Sequence, residues 1–339
     1  MRTDGRRGTD EMPNLDLLRS IAVLLVVVEH MLLALRIERV GYWQIPWLGV
    51  VGVFMFFVHT SLVLMWSLDR HPNTLGFYIR RAFRIYPLAI AVVLITVIGH
   101  IPTIQSPDGA TYFHTNGIRN VIANICLVQN LVWSGNILGV MWTLPLEVDM
   151  YFLLPFLYFF LQENFSLWPL LALWAATVAY DRTAFASNVS GFGVCIPYFL
   201  AGVIAYVLFA KVKKPKLPAF LMPVLIFVLL ALFMIHPAWR SGWYLTFALG
   251  VGLPFFRQIR MKWLIRSSHE IAKYSYGIYL AHAWCISLGV NYLHNDNPAI
   301  RLAAILVPMA VIVVALHFAV EKPGIEFGAK LARKWTRSH

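Results

Sequence analysis

The sequence predicts an all-α, polytopic integral membrane protein with about ten transmembrane helices. Hydrophobic residues make up 59% of the 339 residues, and charged residues make up only 13%. The mean hydropathy is accordingly high, at +0.68. A soluble protein of this length needs a polar surface that so few charged residues cannot provide. The alternative solvent is the lipid bilayer, which a helix crosses with about 20 mainly apolar residues.

Ten apolar segments are candidates for such helices. They cover residues 16–35, 48–68, 86–102, 142–161, 166–180, 192–210, 218–236, 242–256, 274–290 and 300–320. No separate soluble domain fits between them, so we expect one membrane domain over residues 1–339 with short cytoplasmic tails at 1–15 and 322–339. The first segment follows three arginines, as a signal peptide would. It is too long for one and no small-residue cleavage site follows it, so we expect it to be retained.

The distribution of basic residues indicates the orientation. With the N-terminus in the cytoplasm, the cytoplasmic segments hold most of the 28 Lys and Arg residues. The outer loops hold only Arg36, Arg39, Arg119, Arg182, Arg240 and Arg301. This excess follows the positive-inside rule and supports the ten-segment topology. We therefore attribute the net charge of +12 to basic residues that orient the protein in the membrane, and we expect no nucleic-acid partner.

Residues 119–133 form a further stretch with helical periodicity, but it is short and contains Asn124, Gln129 and Asn130. A span here would turn every later basic loop outward. We therefore predict a helix in the membrane interface, within a long extracytoplasmic loop over residues 103–141. The three cysteines lack the spacing of metal ligands, so no metal site is expected.

Ionisable residues inside the apolar segments mark candidate functional positions, because placing them in lipid costs free energy. Arg19 and His30 lie on one face of the first predicted helix, about 16 Å apart along its axis. Glu29 points about 100° away from that face. Taken alone, Arg19 could reach the membrane surface and pair with Asp16, and His30 could bond to a neighbouring helix.

Glu147, in the fourth segment, lies at the same predicted depth as His30, since both are about five residues, or 8 Å, below the outer surface. An imidazole and a carboxylate at one depth could form a general base and the group that orients or charges it. Alternatively, Glu147 caps the turn at Pro145 or pairs with a basic residue. We predict His30 and Glu147 as the catalytic residues, with Glu147 preferred over Glu29 as the carboxylate partner.

Arg80, Arg81 and Arg84 precede the third segment. Spacings of i,i+3 and i,i+4 let all three serve one surface. Guanidinium groups bind phosphate oxygens in bidentate fashion, so these residues are predicted to bind the phosphates of a donor. The alternative is that they are ordinary positive-inside residues in contact with lipid headgroups.

Polar residues also occur in the second and ninth segments, where His59, Ser61 and His282 interrupt apolar runs. With the first and fourth segments, these suggest a polar cavity that has a cationic cytoplasmic mouth and holds histidine and carboxylate near its outer end. Such a cavity suits a phosphorylated donor that enters from the cytoplasm and reacts near the outer face.

The order of several motifs resembles that of the acyltransferase 3 family, the membrane acyltransferases that include O-antigen O-acetylases. The motifs are "LDLLRSIAVLLVVVEH" with Arg19 and His30, "FYIRRAFRIYP" with Arg81 and Arg84, "MWTLPLEVDMYFLLP" with Trp142, Glu147 and Tyr151, "YSYGIYLAHA" with Tyr279 and His282, and "AVEKPG" with Glu321. The resemblance covers nearly the whole chain. It adds Trp142, Tyr151 and Tyr279 to the candidate cavity residues.

The resemblance implies transfer of an acyl group, usually acetyl, from cytoplasmic acyl-CoA to a hydroxyl of an extracytoplasmic glycan or a lipid-linked sugar. Acyl-CoA would be a co-substrate, and no tightly bound cofactor is expected. His30 would be catalytic, and Arg19, Arg81 and Arg84 would lie near the donor phosphates or the transfer site. The expected location is the bacterial inner membrane, with both termini in the cytoplasm.

The second segment departs from the family pattern. In "GVFMFFVHTSL", Phe54 stands where the family often has Asp, and Ser61 stands where it has Gly. These differences bear on the acceptor or the acyl chain more than on the reaction. Two alternatives remain open at this point: a transporter or flippase for a lipid-linked sugar, and a catalytically inactive relative that acts as a membrane partner.

Overall fold

The computed structural model of the chain describes residues 12–101, 117–163, 166–181, 192–292 and 297–337. In these residues, helices follow one another through short turns, and the strands form one small antiparallel hairpin. In that hairpin, β1 (Arg39–Val40) pairs with β2 (Trp43–Gln44). The predicted all-α fold class is confirmed.

The α-helices are numbered in chain order. They are α1 (Pro13–Ala34), α2 (Pro46–Arg70), α3 (Thr74–Ile98), α4 (Ile118–Ile125), α5 (Thr143–Glu163), α6 (Leu167–Asp181), α7 (Phe192–Lys211), α8 (Leu221–Ile235), α9 (Gly242–Gly252), α10 (Lys262–Ser287), α11 (Pro298–Leu316) and α12 (Lys322–Arg337). A 3-10 turn, Gly139–Trp142, leads into α5. A π-helical turn, His317–Glu321, joins α11 to α12.

Within the described residues, six helical stretches are long and apolar enough to cross a bilayer. They are Pro13–Ala34, Pro46–Arg70, Thr74–Ile98, Gly139–Gln162, Gly193–Lys211 and Pro298–Trp335. The other four predicted segments are also helical, but α6, α8 and α9 contain only 15, 15 and 11 residues, and α10 begins with a polar stretch. A multi-pass membrane protein is therefore supported, whereas the number of ten spans stays a prediction.

Helix α3 begins at Thr74, ahead of the predicted span over residues 86–102, because a helix continues through polar residues that hydropathy excludes from a span. One predicted boundary requires correction. The predicted interfacial helix over residues 119–133 ends at Ile125, and Leu127 and Trp133 adopt positive φ values of 54° and 53° beyond it. The eight residues of α4 are too short to cross a bilayer, as predicted. Residues 103–116 of the predicted loop 103–141 lie outside the described residues.

The chain divides into two compact units. The first unit comprises Met1–Leu25, Val50–Thr74 and Leu146–Ala272, and the second comprises Val26–Gly49, Leu75–Pro145 and Lys273–His339. The core of the first unit is an aromatic cluster around Phe54 of α2. The ring centroid of Phe54 lies 4.6 Å from that of Tyr198 and 5.9 Å from that of Phe233. This cluster joins α2, α7 and α8.

The second unit is held together partly by polar contacts between α3 and α10. The Tyr276 hydroxyl donates to the Ile85 carbonyl at 2.8 Å, and the Trp284 indole N–H donates to Thr96 Oγ1 at 3.1 Å. Both bonds are buried, so water does not compete for them. Hydrogen bonds of this kind associate helices in a membrane, where the hydrophobic effect supplies little attraction between them.

Candidate active site

His30 lies near the C-terminal end of α1, in the second unit. Its Nδ1 is 2.9 Å from the carbonyl oxygen of Val26, one turn earlier in the helix, and it also contacts Glu29 Oε2. Two acceptors at Nδ1 favour the tautomer with the proton on that nitrogen. Nε2 then keeps a lone pair and can take a proton from a substrate. The His30 side chain is 25% exposed, so a substrate can reach it.

The contact of Glu29 with His30 differs from the sequence-based expectation that Glu29 faces elsewhere. Helical geometry gives the direction of the Cα–Cβ bond, but the torsions of a glutamate carry its carboxylate back across the helix surface. Gly49 of α2 leaves room for that carboxylate. A Cβ at this position would lie 2.7 Å from Glu29 Oε2. The carboxylate that contacts His30 within the second unit is therefore Glu29.

His282 of α10 completes a pair of histidines. Its ring meets that of His30 edge to face, with the centroids 4.9 Å apart and the planes at 81°. His282 Nδ1 lies 3.1 Å from the carbonyl oxygen of Ile278. His282 Nε2 is buried, and no described residue bonds to it. Buried polar atoms normally have partners, so this nitrogen beside His30 is a candidate for substrate binding.

Tyr279 positions the segment next to the histidine pair. Its hydroxyl donates to the Val140 carbonyl at 2.6 Å and lies 2.8 Å from Thr143 Oγ1. The 3-10 turn that carries Trp142 is thereby tied to α10, one turn before His282. The sequence-based candidates His30, Trp142, Tyr279 and His282 thus belong to one local arrangement in the second unit.

Arg84 of α3 takes part in a buried ion-pair network. Its Nη1 donates to Glu321 Oε1, and the second oxygen of Glu321 lies 2.9 Å from His317 Nδ1. Glu321 is only 1% exposed. A buried carboxylate requires such partners, because an unpaired charge in an apolar environment is strongly destabilising. The Arg84 guanidinium also lies 5.8 Å from the ring centroid of Tyr276.

The predicted phosphate-binding arginines therefore differ in their surroundings. The Arg84 side chain is 22% exposed and forms an ion pair with Glu321. It therefore links α3 to the turn before α12 and leaves part of its guanidinium accessible to a phosphate. Arg80 and Arg81 lie in the preceding turn of the same helix and are half-buried. Their spacing on α3 agrees with the helix that the prediction assumed, and their role in binding phosphate stays a prediction.

Helix α10 connects the arginine and histidine groups within the second unit. Tyr276 faces Arg84 and His282 faces His30. These two residues of α10 are six positions apart, which corresponds to about 9 Å along the helix axis. At 100° per residue their side chains point about 120° apart, so the arginine and histidine groups meet different faces of α10 at neighbouring levels.

The other predicted site residues belong to the first unit. Glu147 accepts a hydrogen bond of 2.5 Å from the Tyr151 hydroxyl, four residues later in α5. Arg19 is half-buried on α1, and its charge acts on the buried His59 of α2. Asp16, considered above as a partner for Arg19, lies 2.9 Å from His269 Nδ1. The predicted pairing of Glu147 with His30, and the cavity predicted to hold all these residues, stay predictions.

The two departures from the family pattern in α2 are both packing positions. Phe54 is fully buried in the aromatic cluster, where a side chain at Gly242 would overlap its ring. The Ser61 hydroxyl donates to the carbonyl of Phe57 at 3.0 Å, and the residue is fully buried. Within the first unit, Phe54 is therefore accounted for by packing and Ser61 by its hydrogen bond.

Sequence reasoning overlooked the roles of Glu29, His317 and Glu321. A signal was present for the last two, because a histidine and a glutamate four residues apart share one helix face. No signal in the sequence indicated that Glu321 would meet Arg84. Within the described residues, no group of three or more His, Cys, Asp and Glu side chains could hold a metal ion.

Comparison with protein families identifies an acyltransferase domain. The family model described as an acyltransferase domain matches residues 12–318, and therefore includes both histidines, the three arginines of α3 and Glu147. No curated protein and no solved structure matches the chain.

Proposed function

The chain belongs to the acyltransferase 3 family, and from this premise we propose that it transfers an acyl group, most simply acetyl, from acyl-CoA to a hydroxyl of an extracytoplasmic or lipid-linked glycan. Membership makes the protein a membrane acyltransferase. The proposal adds the donor, the acceptor and the direction, from a cytoplasmic donor to an outer acceptor. It also adds the bacterial inner membrane as the location, with both termini in the cytoplasm.

The observation that carries the proposal is the environment of His30. With Nδ1 engaged by Val26 and Glu29, Nε2 is the basic nitrogen. In the proposed reaction, Nε2 takes the proton of the acceptor hydroxyl as the hydroxyl oxygen attacks the thioester carbonyl. The new C–O bond forms, the C–S bond breaks, and the proton passes from His30 to the departing thiolate. The products are an O-acyl ester and the free thiol of CoA.

Glu29 would stabilise the imidazolium that forms in this step. A buried carboxylate against the distal nitrogen of a catalytic histidine holds the ring and its tautomer and favours the charged form. Glu147 was expected to play this part from its depth in the fourth segment. Its hydrogen bond with Tyr151 is compatible with a separate role in holding the acceptor. Comparison of Glu29→Gln with Glu147→Gln decides which carboxylate stabilises the imidazolium.

The unpartnered Nε2 of His282 supports a role in binding the acceptor. When Nδ1 of His282 donates to the Ile278 carbonyl, Nε2 can accept a hydrogen bond from a second hydroxyl of a sugar. Sugars carry several hydroxyls close together, so an acceptor of this class could reach both histidines. This is an argument for a polyhydroxylated acceptor over a simple alcohol.

The donor phosphates would be held by Arg80 and Arg81, with Arg84 and Arg19 as further cations. Guanidinium groups bind phosphate through two parallel hydrogen bonds. The α10 residues that contact Arg84 and His30 are about 9 Å apart along the helix axis and about 120° apart around it, so a donor that reaches both groups needs a flexible arm between its phosphates and its thioester. Acyl-CoA has this form and would act as a co-substrate without a resident cofactor.

A reconstituted assay tests the proposal. The purified full chain in nanodiscs is incubated with acetyl-CoA and a lipid-linked or envelope glycan, and free thiol release and acceptor mass are followed together. We expect thiol release that depends on the glycan, with one acetyl added per modified hydroxyl. A transporter for lipid-linked sugars, the alternative from the sequence, would leave the thioester intact, and that result would overturn the proposed function.

A further inference from the structure

Helix α12 is packed against α3 by small residues. Gly324, Gly328 and Ala332 recur every four residues, so they share one face of the helix. A Cβ at Gly324 would lie 2.9 Å from Pro87 Cγ, and one at Gly328 would overlap Phe83. Small residues at this spacing allow helix backbones to approach closely in membranes. The backbone of α12 is therefore seated on α3 beside its arginines.

The opposite face of α12 is basic. Lys322, Lys330, Arg333 and Lys334 are all exposed. At 100° per residue they fall within an arc of about 120°. The centre of this arc lies about 180° from the face that contacts α3. One acidic residue, Glu326, interrupts it.

An apolar helix precedes the basic arc, and one exposed aromatic residue borders it. This residue is Phe327, which is 55% exposed. In the preceding α11, the exposed large apolar residues include Leu302, Leu306, Val307, Val311 and Val314. Such a surface is suited to contact with lipid chains. Basic residues that directly follow a membrane-spanning helix lie near lipid phosphates.

We propose that the basic face of α12 binds the phosphate headgroups of anionic lipids and thereby holds α12 on the membrane surface. The charges are complementary, and the lipid-facing surface of α11 leads directly to this helix. The arc points away from α3, which carries the arginines assigned to the donor, so it serves a different set of phosphates. The proposal does not depend on the proposed function.

Lipid binding to α12 would also steady the arginine segment of α3. Phe83 is flanked by Arg81 and Arg84, and it packs on Gly328 and against Phe327, with ring centroids 5.1 Å apart. Glu321, which holds Arg84, immediately precedes α12. Release of α12 from the membrane surface would therefore loosen two contacts that position α3.

Hydrogen exchange of the full chain in nanodiscs tests the proposal. The discs contain phosphatidylcholine alone or phosphatidylcholine mixed with phosphatidylglycerol. Each basic residue near an anionic surface strengthens binding about fivefold. We expect amide exchange in Lys322–Arg337 to be on the order of tenfold slower in the anionic discs, and we expect salt to remove the difference by screening.

One variant removes the basic face, and a second variant is its control. Lys330→Gln/Arg333→Gln/Lys334→Gln should abolish the dependence on phosphatidylglycerol. Arg257→Gln/Arg260→Gln/Lys262→Gln removes the same charge from exposed positions just before and at the start of α10, and it should retain the dependence on phosphatidylglycerol. If the first variant fails to fold, the salt dependence of the wild type still decides the matter.

A further arm distinguishes lipid phosphates from the phosphates of a soluble donor. Acetyl-CoA is added to the discs of phosphatidylcholine alone, and exchange in α12 is measured again. Protection by acetyl-CoA equal to that by phosphatidylglycerol would assign the basic face to the donor and overturn the proposal. Equal exchange of α12 in the two kinds of disc would overturn it as well.

Discussion

Glu29 Oε2 contacts His30 Nδ1, although a helix directs the side chains of consecutive residues about 100° apart. The carboxylate reaches the ring because its own torsions carry it across the helix and because Gly49 leaves space for it. This relationship assigns Glu29 a positioning role for His30 that the sequence did not reveal, and it leads to the first two predictions.

Glu29→Gln should lower kcat by about 10²-fold, because the amide keeps the shape of the side chain but loses the charge that stabilises the imidazolium. The KM for acetyl-CoA and the thermal stability should change little, since neither depends on this charge. Glu147→Gln, measured in parallel, should lower kcat less. A larger kcat loss in Glu147→Gln than in Glu29→Gln would transfer the role to Glu147.

Gly49→Ala should displace the Glu29 carboxylate, because the added Cβ would lie 2.7 Å from Oε2. A glutamate end can move at little cost, so we expect a reduced kcat with only a small change in the unfolding temperature. Gly135→Ala is a matched control, since a Cβ there meets no atom within 4 Å. Wild-type kcat in Gly49→Ala would show that the position of the carboxylate does not matter.

His282→Phe should raise the KM for the acceptor about tenfold, the value of one neutral hydrogen bond. Phenylalanine keeps a flat ring against His30 but offers no acceptor nitrogen. The KM for acetyl-CoA should be unaffected. His236→Ala, at an exposed position outside the site, controls for the loss of a histidine. An acceptor KM that stays at the wild-type value in His282→Phe would remove His282 from the acceptor site.

Glu321→Gln should destabilise the protein by about 3 kcal/mol, because Arg84 and His317 lose the buried carboxylate that pairs with both. The double variant Glu321→Gln/Arg84→Gln should recover part of this loss, since the unpaired charge is removed with its partner. Denaturant unfolding in detergent is measured for Glu321→Gln, for Arg84→Gln and for the double variant, which together with the wild type form the cycle. Additive losses would mean that the two residues do not interact energetically.

The sequence was sufficient for the fold class and the family because both depend on patterns along the chain. Apolar segments indicate helices in lipid whatever their packing, and the ordered motifs around His30, Arg81 and Glu147 identify the acyltransferase domain. The helical spacing of the arginines was likewise a local property, and α3 contains all three.

The pairings between side chains could not be derived in this way. The position of Glu29 depends on a glycine in another helix, and the partner of Arg84 is more than 200 residues later in the chain. Helical periodicity gives the direction of a Cβ but not the end of a long side chain. The interfacial helix was extended too far because apolar periodicity continues past Ile125, while positive φ values at Leu127 and Trp133 end the regular backbone.

The most direct test of the central claim is the rate of free thiol release by purified His30→Ala, assayed beside wild type and His236→Ala with acetyl-CoA and a glycan acceptor. We predict that His30→Ala loses about 10²–10⁴-fold in kcat, keeps the wild-type unfolding temperature and still binds acetyl-CoA. His236→Ala should match the wild type. Acyl transfer at the wild-type rate by His30→Ala would contradict the assignment of His30 as the general base.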